Sequence, residues 1–185
     1  KPDYGYQLVP DYKDIFTLLT SCAARQLDEV TFRRGEVEVD ELLQEAAGYL
    51  HKAGARLPFV LDCEVVAHPG IRVVGDRILL RFLFRQLMDE ALRDACPGTL
   101  RLSAREEGSF VRLELADNRR TLPQEELDQL FYPDSRRIYL DASQRLCGIG
   151  YLVCKQILRD HDEYAGRRGC RINATALEGG GYTVW

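Results

Sequence analysis

The chain has 185 residues, of which 45% are hydrophobic and 29% charged, and its formal net charge is −4. This length suits one ordinary domain, and this composition is typical of a chain that buries a core beneath a charged surface. The negative charge argues against a general nucleic-acid surface, so we expect no nucleic-acid partner. The sequence contains no signal peptide and no apolar run near the roughly 20 residues that span a bilayer.

The six cysteines include no C-x-x-C pair and lie in apolar or mixed surroundings. This pattern favours buried thiols in a reducing compartment over disulfides. The three histidines lie far apart, so we expect no zinc site. Because the chain opens at Lys1 without a methionine, we expect a piece of a longer cytoplasmic protein, or the cytoplasmic portion of a membrane-anchored sensor whose anchor lies upstream.

The first part of the sequence predicts two helices and several short strands, judged from apolar periodicity and from capping residues. The expected elements are a helix over 14–31, a turn and short strand over 32–39, a helix from the N-cap Asp40 to Gly54, and strands over 56–65 and 71–74.

The middle of the sequence predicts a long helix and a hairpin. Asp76 is the expected N-cap of a helix that runs through Ala95, with apolar residues every three or four positions, and Pro97-Gly98 ends it. Apolar and polar residues then alternate over 99–106 and 109–117, which predicts two paired strands.

The last part of the sequence predicts a polar loop through Gln144, a helix directly after Gly148–Gly150, and two final strands joined at Gly179–Gly181. The expected fold class is α+β. We expect a two-layer sandwich in which helices cover one face of a mixed, mostly antiparallel sheet. No series of parallel β-α-β units is predicted, which argues against a Rossmann fold.

Five stretches in this order resemble the ATP-binding domain of sensor histidine kinases, which shares its GHKL (Bergerat) fold with gyrase-type ATPases. They are VDELLQEAAGYLHKAGARLPFVLD, RVVGDRILLRFLFRQLMDEALRDA, VRLELADN, LFYP and CGIGYLVCKQILRDH. The resemblance covers about 38–185 and implies two parts: a nucleotide-binding domain over 38–185, and an N-terminal helix and linker over 1–37. The 1–37 part is similar to the end of a dimerisation helix, which implies a homodimer.

The long helix carries the first box of the resemblance. The family has two asparagines and a basic residue here, and it uses the second asparagine to hold Mg²⁺ and the basic residue to contact a phosphate. Gln86 and Glu90 stand at the asparagine positions, and Arg93 keeps the basic one. Glu90 is the candidate Mg²⁺ ligand, because carboxylate oxygens suit that ion. The alternative is that Glu90 and Arg93 belong to a solvated helix face.

The second box follows the predicted strand VRLELA. The resemblance implies that the Asp117 carboxylate accepts a hydrogen bond from the amino group of adenine. The two glycines that normally follow are replaced by Arg119 and Thr121, with Arg120 between them. Arg119 adds bulk where adenine should lie, or it stacks on the base. The alternative is that Asp117 is an ordinary turn former at the end of a strand.

The remaining boxes imply a lid and a phosphate site. Phe131 would pack beneath the ATP lid, or serve as a core aromatic. Gly148, Ile149, Gly150 and Tyr151 match the glycine motif that brings backbone N–H groups against phosphates, and the N-terminus of a helix favours an anion there. The alternative is a simple junction between a loop and a helix. His161 is expected to be structural.

The resemblance implies binding of ATP with Mg²⁺ and transfer of a phosphate to a histidine on an upstream segment, with a response regulator as a possible later partner. His51 and His68 lack the expected surroundings of a phosphorylated histidine, so no catalytic residue is assigned within the chain. The altered boxes leave a second hypothesis open: a pseudokinase with little or no activity that serves as a regulatory or dimer-forming module.

Overall fold

The computed structural model describes residues 32–93, 96–134, 136–142 and 146–185. The helix predicted over 14–31 lies outside the described residues, and so does Cys22. The helices are α1 (Val39–Gly54), α2 (Arg77–Arg93), α3 (Gln124–Asp128) and α4 (Gly150–Tyr164). The strands are β1 (Gly35–Glu38), β2 (Leu61–Val66), β3 (Arg72–Gly75), β4 (Gly98–Glu107), β5 (Phe110–Asp117), β6 (Tyr139–Leu140), β7 (Leu146–Cys147), β8 (Ala174–Ala176) and β9 (Tyr182–Val184).

The main sheet has five strands in the order β2-β4-β5-β9-β8. Every neighbouring pair is antiparallel except β2 with β4, which is parallel. The prediction of a mixed, mostly antiparallel sheet backed by helices is therefore confirmed. The parallel pair was not predicted; it is possible because the chain between β2 and β4 contains β3 and α2, and a parallel pair needs such a long crossover. β1 pairs with β3, and β6 pairs with β7, outside the main sheet.

The core lies between the helices and the main sheet. Leu100, Leu102 and Ala104 of β4 are buried at alternate positions, as the two-residue period of a strand requires. The buried stripe of α2 includes Leu80, Phe84, Leu87 and Ala91, at spacings of three or four residues. Among the described residues, every helix is too short or too polar to cross a bilayer.

Two predicted boundaries were wrong. α1 begins at Val39 with Glu38 as its N-cap, two residues earlier than an N-cap at Asp40 requires, so Asp40 lies in its first turn and does not cap it. The Val39 N–H donates to the Ile71 carbonyl, which fixes this start from outside the helix. Strand β2 begins at Leu61 rather than at residue 56, because the chain first turns after α1 and then passes through Pro58, which has no N–H to donate to a sheet.

The predicted cap of α2 is confirmed. Asp76 Oδ1 accepts hydrogen bonds from the backbone N–H groups of Ile78 (2.9 Å) and Leu79 (3.2 Å). Asp76 Oδ2 accepts another from the N–H of Arg33, at 2.7 Å. The Asp76 N–H itself donates to Nε2 of His161, at 3.0 Å. This buried residue therefore joins the start of α2 to the segment before β1 and to α4.

His161 is structural in the described fold, as the sequence indicated. Its ring lies against Phe32 in an edge arrangement, and its Nδ1 is 2.8 Å from the Ile157 carbonyl. With Nδ1 donating to that carbonyl and Nε2 accepting from Asp76, the imidazole is neutral. Burial lowers the pKa of His161 below its ordinary value, although Asp76 and Asp160 partly oppose this.

We predict that the free energy of unfolding decreases as the pH falls through about 6.5, the ordinary histidine pKa. In that window the unfolded chain binds more protons than the folded chain, because the folded-state pKa of His161 is lowered, so acid favours unfolding. Urea unfolding at pH 7.5 and 5.5 measures the difference. H161Q should remove most of it, and an unchanged pH difference in H161Q would contradict the assignment to His161.

Candidate functional site

Residues of the predicted site meet at one end of the sandwich, where α2 and β5 end and α4 begins. Glu90 and Arg93 lie in the last turns of α2, and Gln86 lies one turn before Glu90 on the same face. Asp117 is the last residue of β5. Gly150 is the first residue of α4, with Ile149 as its N-cap.

Arg119 pairs with both oxygens of the Asp117 carboxylate. Arg119 Nε lies 2.9 Å from Asp117 Oδ1, and Arg119 Nη2 lies 2.7 Å from Asp117 Oδ2, which is a bidentate ion pair. The side chain of Arg119 is 0% exposed and that of Asp117 is 4% exposed. The Arg119 N–H also donates to Asp117 Oδ1, at 3.0 Å, so Asp117 is a turn former as well, which was the alternative expectation.

The guanidinium of Arg119 also donates hydrogen bonds to carbonyls at the C-terminal end of α2. Its Nη1 donates to the carbonyls of Ala91 (3.2 Å) and Cys96 (3.3 Å). The last carbonyls of a helix have no partner within the helix, and a cation there is favourable. Arg119 thus connects the end of β5 with the end of α2. It does not project toward open solvent.

Gly98 provides the space that Arg119 occupies. A Cβ atom added to Gly98 would lie 2.5 Å from Arg119 Cγ, and Gly98 has a φ of 149°, which L side chains rarely adopt. The start of β4 is therefore shaped around the methylene groups of Arg119.

Glu90 reaches across to the start of α4. Its Oε1 accepts a hydrogen bond from the Gly150 N–H, at 3.2 Å, and lies 3.0 Å from Arg93 Nη2. The first turn of α4 contains no acidic residue, and the N-cap makes no side-chain hydrogen bond, so Glu90 supplies an acceptor for this helix end from another helix. The Glu90 side chain is only 11% exposed, which argues against a solvated helix face.

Gly148 is required by its surroundings, and Gly150 lies close against the Glu90 side chain. Gly148 has a φ of 84°, and a Cβ there would overlap the Arg137 carbonyl. A Cβ on Gly150 would lie 2.5 Å from Glu90 Oε1. The turn therefore brings the backbone close to both the segment before β6 and the Glu90 carboxylate.

Phe131 and Tyr151 pack together beside this turn. Their rings meet edge to face, with centroids 5.7 Å apart. Phe131 is buried, so its alternative role as a core aromatic is also satisfied. The neighbouring Tyr132 ring lies 4.1 Å from Lys155 Nζ of α4. These contacts fix the chain before β6 against the first turns of α4.

A cavity of about 520 Å³ lies elsewhere, between the first half of α2, the first half of β5 and the chain around Gly169. Its lining is mostly apolar, with Arg112, Arg171 and Trp185 among its polar or aromatic members. None of the predicted site residues lines it.

Comparison with known proteins agrees with this architecture. Residues 75–185 match the family described as histidine kinase-, DNA gyrase B-, and HSP90-like ATPases. This range contains α2, the Asp117 turn and the whole of α4.

The chain belongs to this family. Among characterised relatives, it is 28% identical over 143 residues to the signal transduction histidine-protein kinase BaeS of Escherichia coli, a match that covers 72% of this chain and 28% of BaeS. The chain spans less than half the length of each of the three curated relatives.

Two solved structures, one of the histidine kinase ThkA and one of ShkA, share the fold. ThkA in complex with the response regulator TrrA superposes with a TM-score of 0.64 at 15% identity, covering 92% of this chain and 46% of that one. Full-length ShkA in complex with AMPPNP gives a TM-score of 0.63 at 16% identity, covering 91% of this chain and 35% of that one.

The family implies ATP as the ligand, and two carboxylates of the site, those of Asp117 and Glu90, already have partners within the chain. Both Asp117 oxygens are paired with Arg119, so a base would have to compete with this ion pair for the carboxylate. Glu90 Oε1 already holds a backbone N–H and lies beside a guanidinium, which disfavours a divalent cation there. Within the described ranges, no three His, Cys, Asp or Glu side chains form a metal-binding cluster.

Several residues predicted for this site lie in contact with one another, but their roles toward a nucleotide stay predictions, and the sequence did not indicate these contacts. It did not find Gly98 as part of the site, nor the carbonyls of Ala91 and Cys96. The Pro97-Gly98 pair in the sequence indicates the end of a helix, but it does not indicate that Gly98 makes room for Arg119. The sequence also predicted buried cysteines, yet of the five cysteines that the structure describes only Cys154 is buried, while Cys63, Cys96, Cys147 and Cys170 are partly exposed thiols.

Proposed function

We propose that this chain is the ATP-binding catalytic domain of a two-component sensor histidine kinase, which binds ATP with Mg²⁺ and donates phosphate to a histidine outside these 185 residues. The observation that carries the proposal is the family match over 75–185, which includes the glycine turn at the start of α4 and the carboxylate that ends β5. The ShkA complex with AMPPNP supports a nucleotide as the ligand.

The proposal assigns 38–185 to the nucleotide-binding domain and 1–37 to an N-terminal helix and linker that pairs with a second copy. It places the whole protein's signalling domain in the cytoplasm and gives it a response regulator as a later partner. The ThkA complex with TrrA supports that kind of partner. His161 is excluded as the phosphorylated residue by its burial and its two hydrogen bonds.

The second candidate is a pseudokinase that keeps the fold as a regulatory or dimer-forming module. The observation that favours it is that two groups expected to contact a nucleotide already have partners within the chain. Asp117 is paired with Arg119, and the first N–H of α4 is paired with Glu90. Each pairing replaces a contact that a nucleotide would otherwise make.

Thermal unfolding with and without nucleotide tests the first proposal. We predict that millimolar ATP or ADP with Mg²⁺ raises the unfolding midpoint above that with Mg²⁺ alone. A ligand that binds only the folded chain stabilises it by about 2.7 kcal/mol at a hundredfold excess over its dissociation constant. An unchanged midpoint would favour the pseudokinase. A rise would justify an assay of phosphate transfer in a longer protein that includes the upstream histidine.

A further inference from the structure

We infer that Arg119 sets both the nucleotide affinity and the base selection of this site, by holding the Asp117 carboxylate in place of a base. The inference rests on the proposed function, because it concerns the same nucleotide site. Arg119 is the natural competitor for that carboxylate, since its two N–H groups already lie 2.7 and 2.9 Å from the two oxygens.

The competition favours Arg119 for a physical reason. A neutral amino group on a base can offer the carboxylate a single neutral hydrogen bond, whereas the guanidinium offers a charge-assisted bidentate pair. Arg119 is also only two residues from Asp117 in the chain, so its pairing requires no association from solution. A base that took the carboxylate would leave the guanidinium without its anion at a position where the side chain is 0% exposed.

The surrounding structure is built for Arg119 in this position. The Ala91 and Cys96 carbonyls accept from its remaining N–H groups, and Gly98 leaves room for its methylene groups. The stretch from the end of α2 to the start of β4 thus contacts Arg119 at three positions. The pairing is therefore a stable part of the fold.

The consequence for ligand binding concerns the base. A carboxylate can discriminate between nucleotides by accepting from the amino group of adenine, where guanine presents a carbonyl. With both oxygens held by Arg119, this discrimination is lost. The wild-type chain should then bind ATP weakly and should bind GTP about as well as ATP.

The test compares ATP and GTP affinities of the 185-residue chain and three variants by isothermal titration calorimetry. R119G should bind ATP roughly 10- to 100-fold more tightly than the wild-type chain, the value of one hydrogen bond to a charged group. It should also prefer ATP over GTP by about tenfold or more. R120G is the matched control, because Arg120 is exposed and adjacent, and it should leave both affinities unchanged.

R119Q is the second substitution of Arg119. Circular dichroism shows whether R119G folds, and if it does not, R119Q decides the test. It keeps a neutral donor near Asp117, so its gain in ATP affinity should be smaller but in the same direction. A wild-type chain that already prefers ATP over GTP by tenfold would overturn the role of Arg119 while leaving the proposed function intact. Failure of every folded variant to bind either nucleotide would overturn both.

Discussion

Replacing Asp117 with alanine should lower the free energy of unfolding by about 3–5 kcal/mol, the cost of leaving one member of a buried ion pair without its partner. The Arg119 side chain is 0% exposed, so its charge cannot turn to water without disrupting the packing around it. The Ala91 and Cys96 carbonyls would remain as its acceptors, but neither carries a full negative charge. Urea unfolding followed by circular dichroism measures the loss.

An exposed ion pair provides the matched control. Arg72 and Glu36 lie 3.2 Å apart, with side chains 59% and 71% exposed. E36A should therefore cost no more than about 1 kcal/mol. If E36A and D117A were equally costly, the Asp117 pair would not be buried in solution as described.

The double variant D117A/R119M separates charge from packing. It removes both charges and replaces the guanidinium by an apolar side chain of similar length. Because a buried ion pair often contributes little compared with an apolar pair, the double variant should recover most of the stability lost in D117A. A double variant as unstable as D117A would show instead that losing the hydrogen bonds from Arg119 to the end of α2 costs as much as removing the unpaired charge restores.

The fold was largely predictable because its main signals are local. The apolar stripe of α2, the alternation in β4 and β5, and the three glycines between β8 and β9 each act within a few residues. The positive φ values at Gly179, Gly180 and Gly181 are what a tight turn requires. The parallel pairing of β2 with β4 was missed, because pairing between distant strands is not encoded in the pattern of either strand.

The sequence suggested which residues to consider for the site, but it could not predict which of them contact one another. Glu90 and Gly150 are 60 residues apart, and Arg119 is 28 residues from Ala91. No periodicity links such positions, so the sequence could not show that Glu90 would reach the start of α4. It left two roles open for Arg119, stacking on a base or filling the space of one. The second agrees with the bidentate contact to Asp117.

Asp40 and Asp76 show how tertiary structure decides between identical local signals. Both stand just before an amphipathic helix, and both were predicted to be N-caps. Only Asp76 is one, because the Val39 N–H donates to the Ile71 carbonyl and α1 begins two residues earlier than an N-cap at Asp40 requires. The same residue type therefore contributes differently to stability at the two positions.

We predict that D76A lowers the free energy of unfolding by about 2–4 kcal/mol, from the loss of a cap and of acceptors for buried N–H groups. Its carboxylate accepts from the backbone N–H groups of Ile78, Leu79 and Arg33, and alanine can replace none of these contacts. Asp76 is 3% exposed, so water cannot readily take its place. The shift in the denaturant concentration at the midpoint of unfolding measures this change, provided that the dependence of the free energy on denaturant concentration (the m-value) is unchanged.

D40A is the control, since Asp40 lies in the first turn of α1 without acting as its cap. It loses only a favourable charge near the helix N-terminus, which amounts to about 0.3–1 kcal/mol. D76N tests the cap further: it can keep the Oδ1 acceptor for α2 but loses an acceptor for Arg33, so its cost should fall between those of D40A and D76A. Equal costs for D40A and D76A would mean that the bonds from the Asp76 carboxylate to the start of α2 and to the segment before β1 contribute nothing beyond a surface charge.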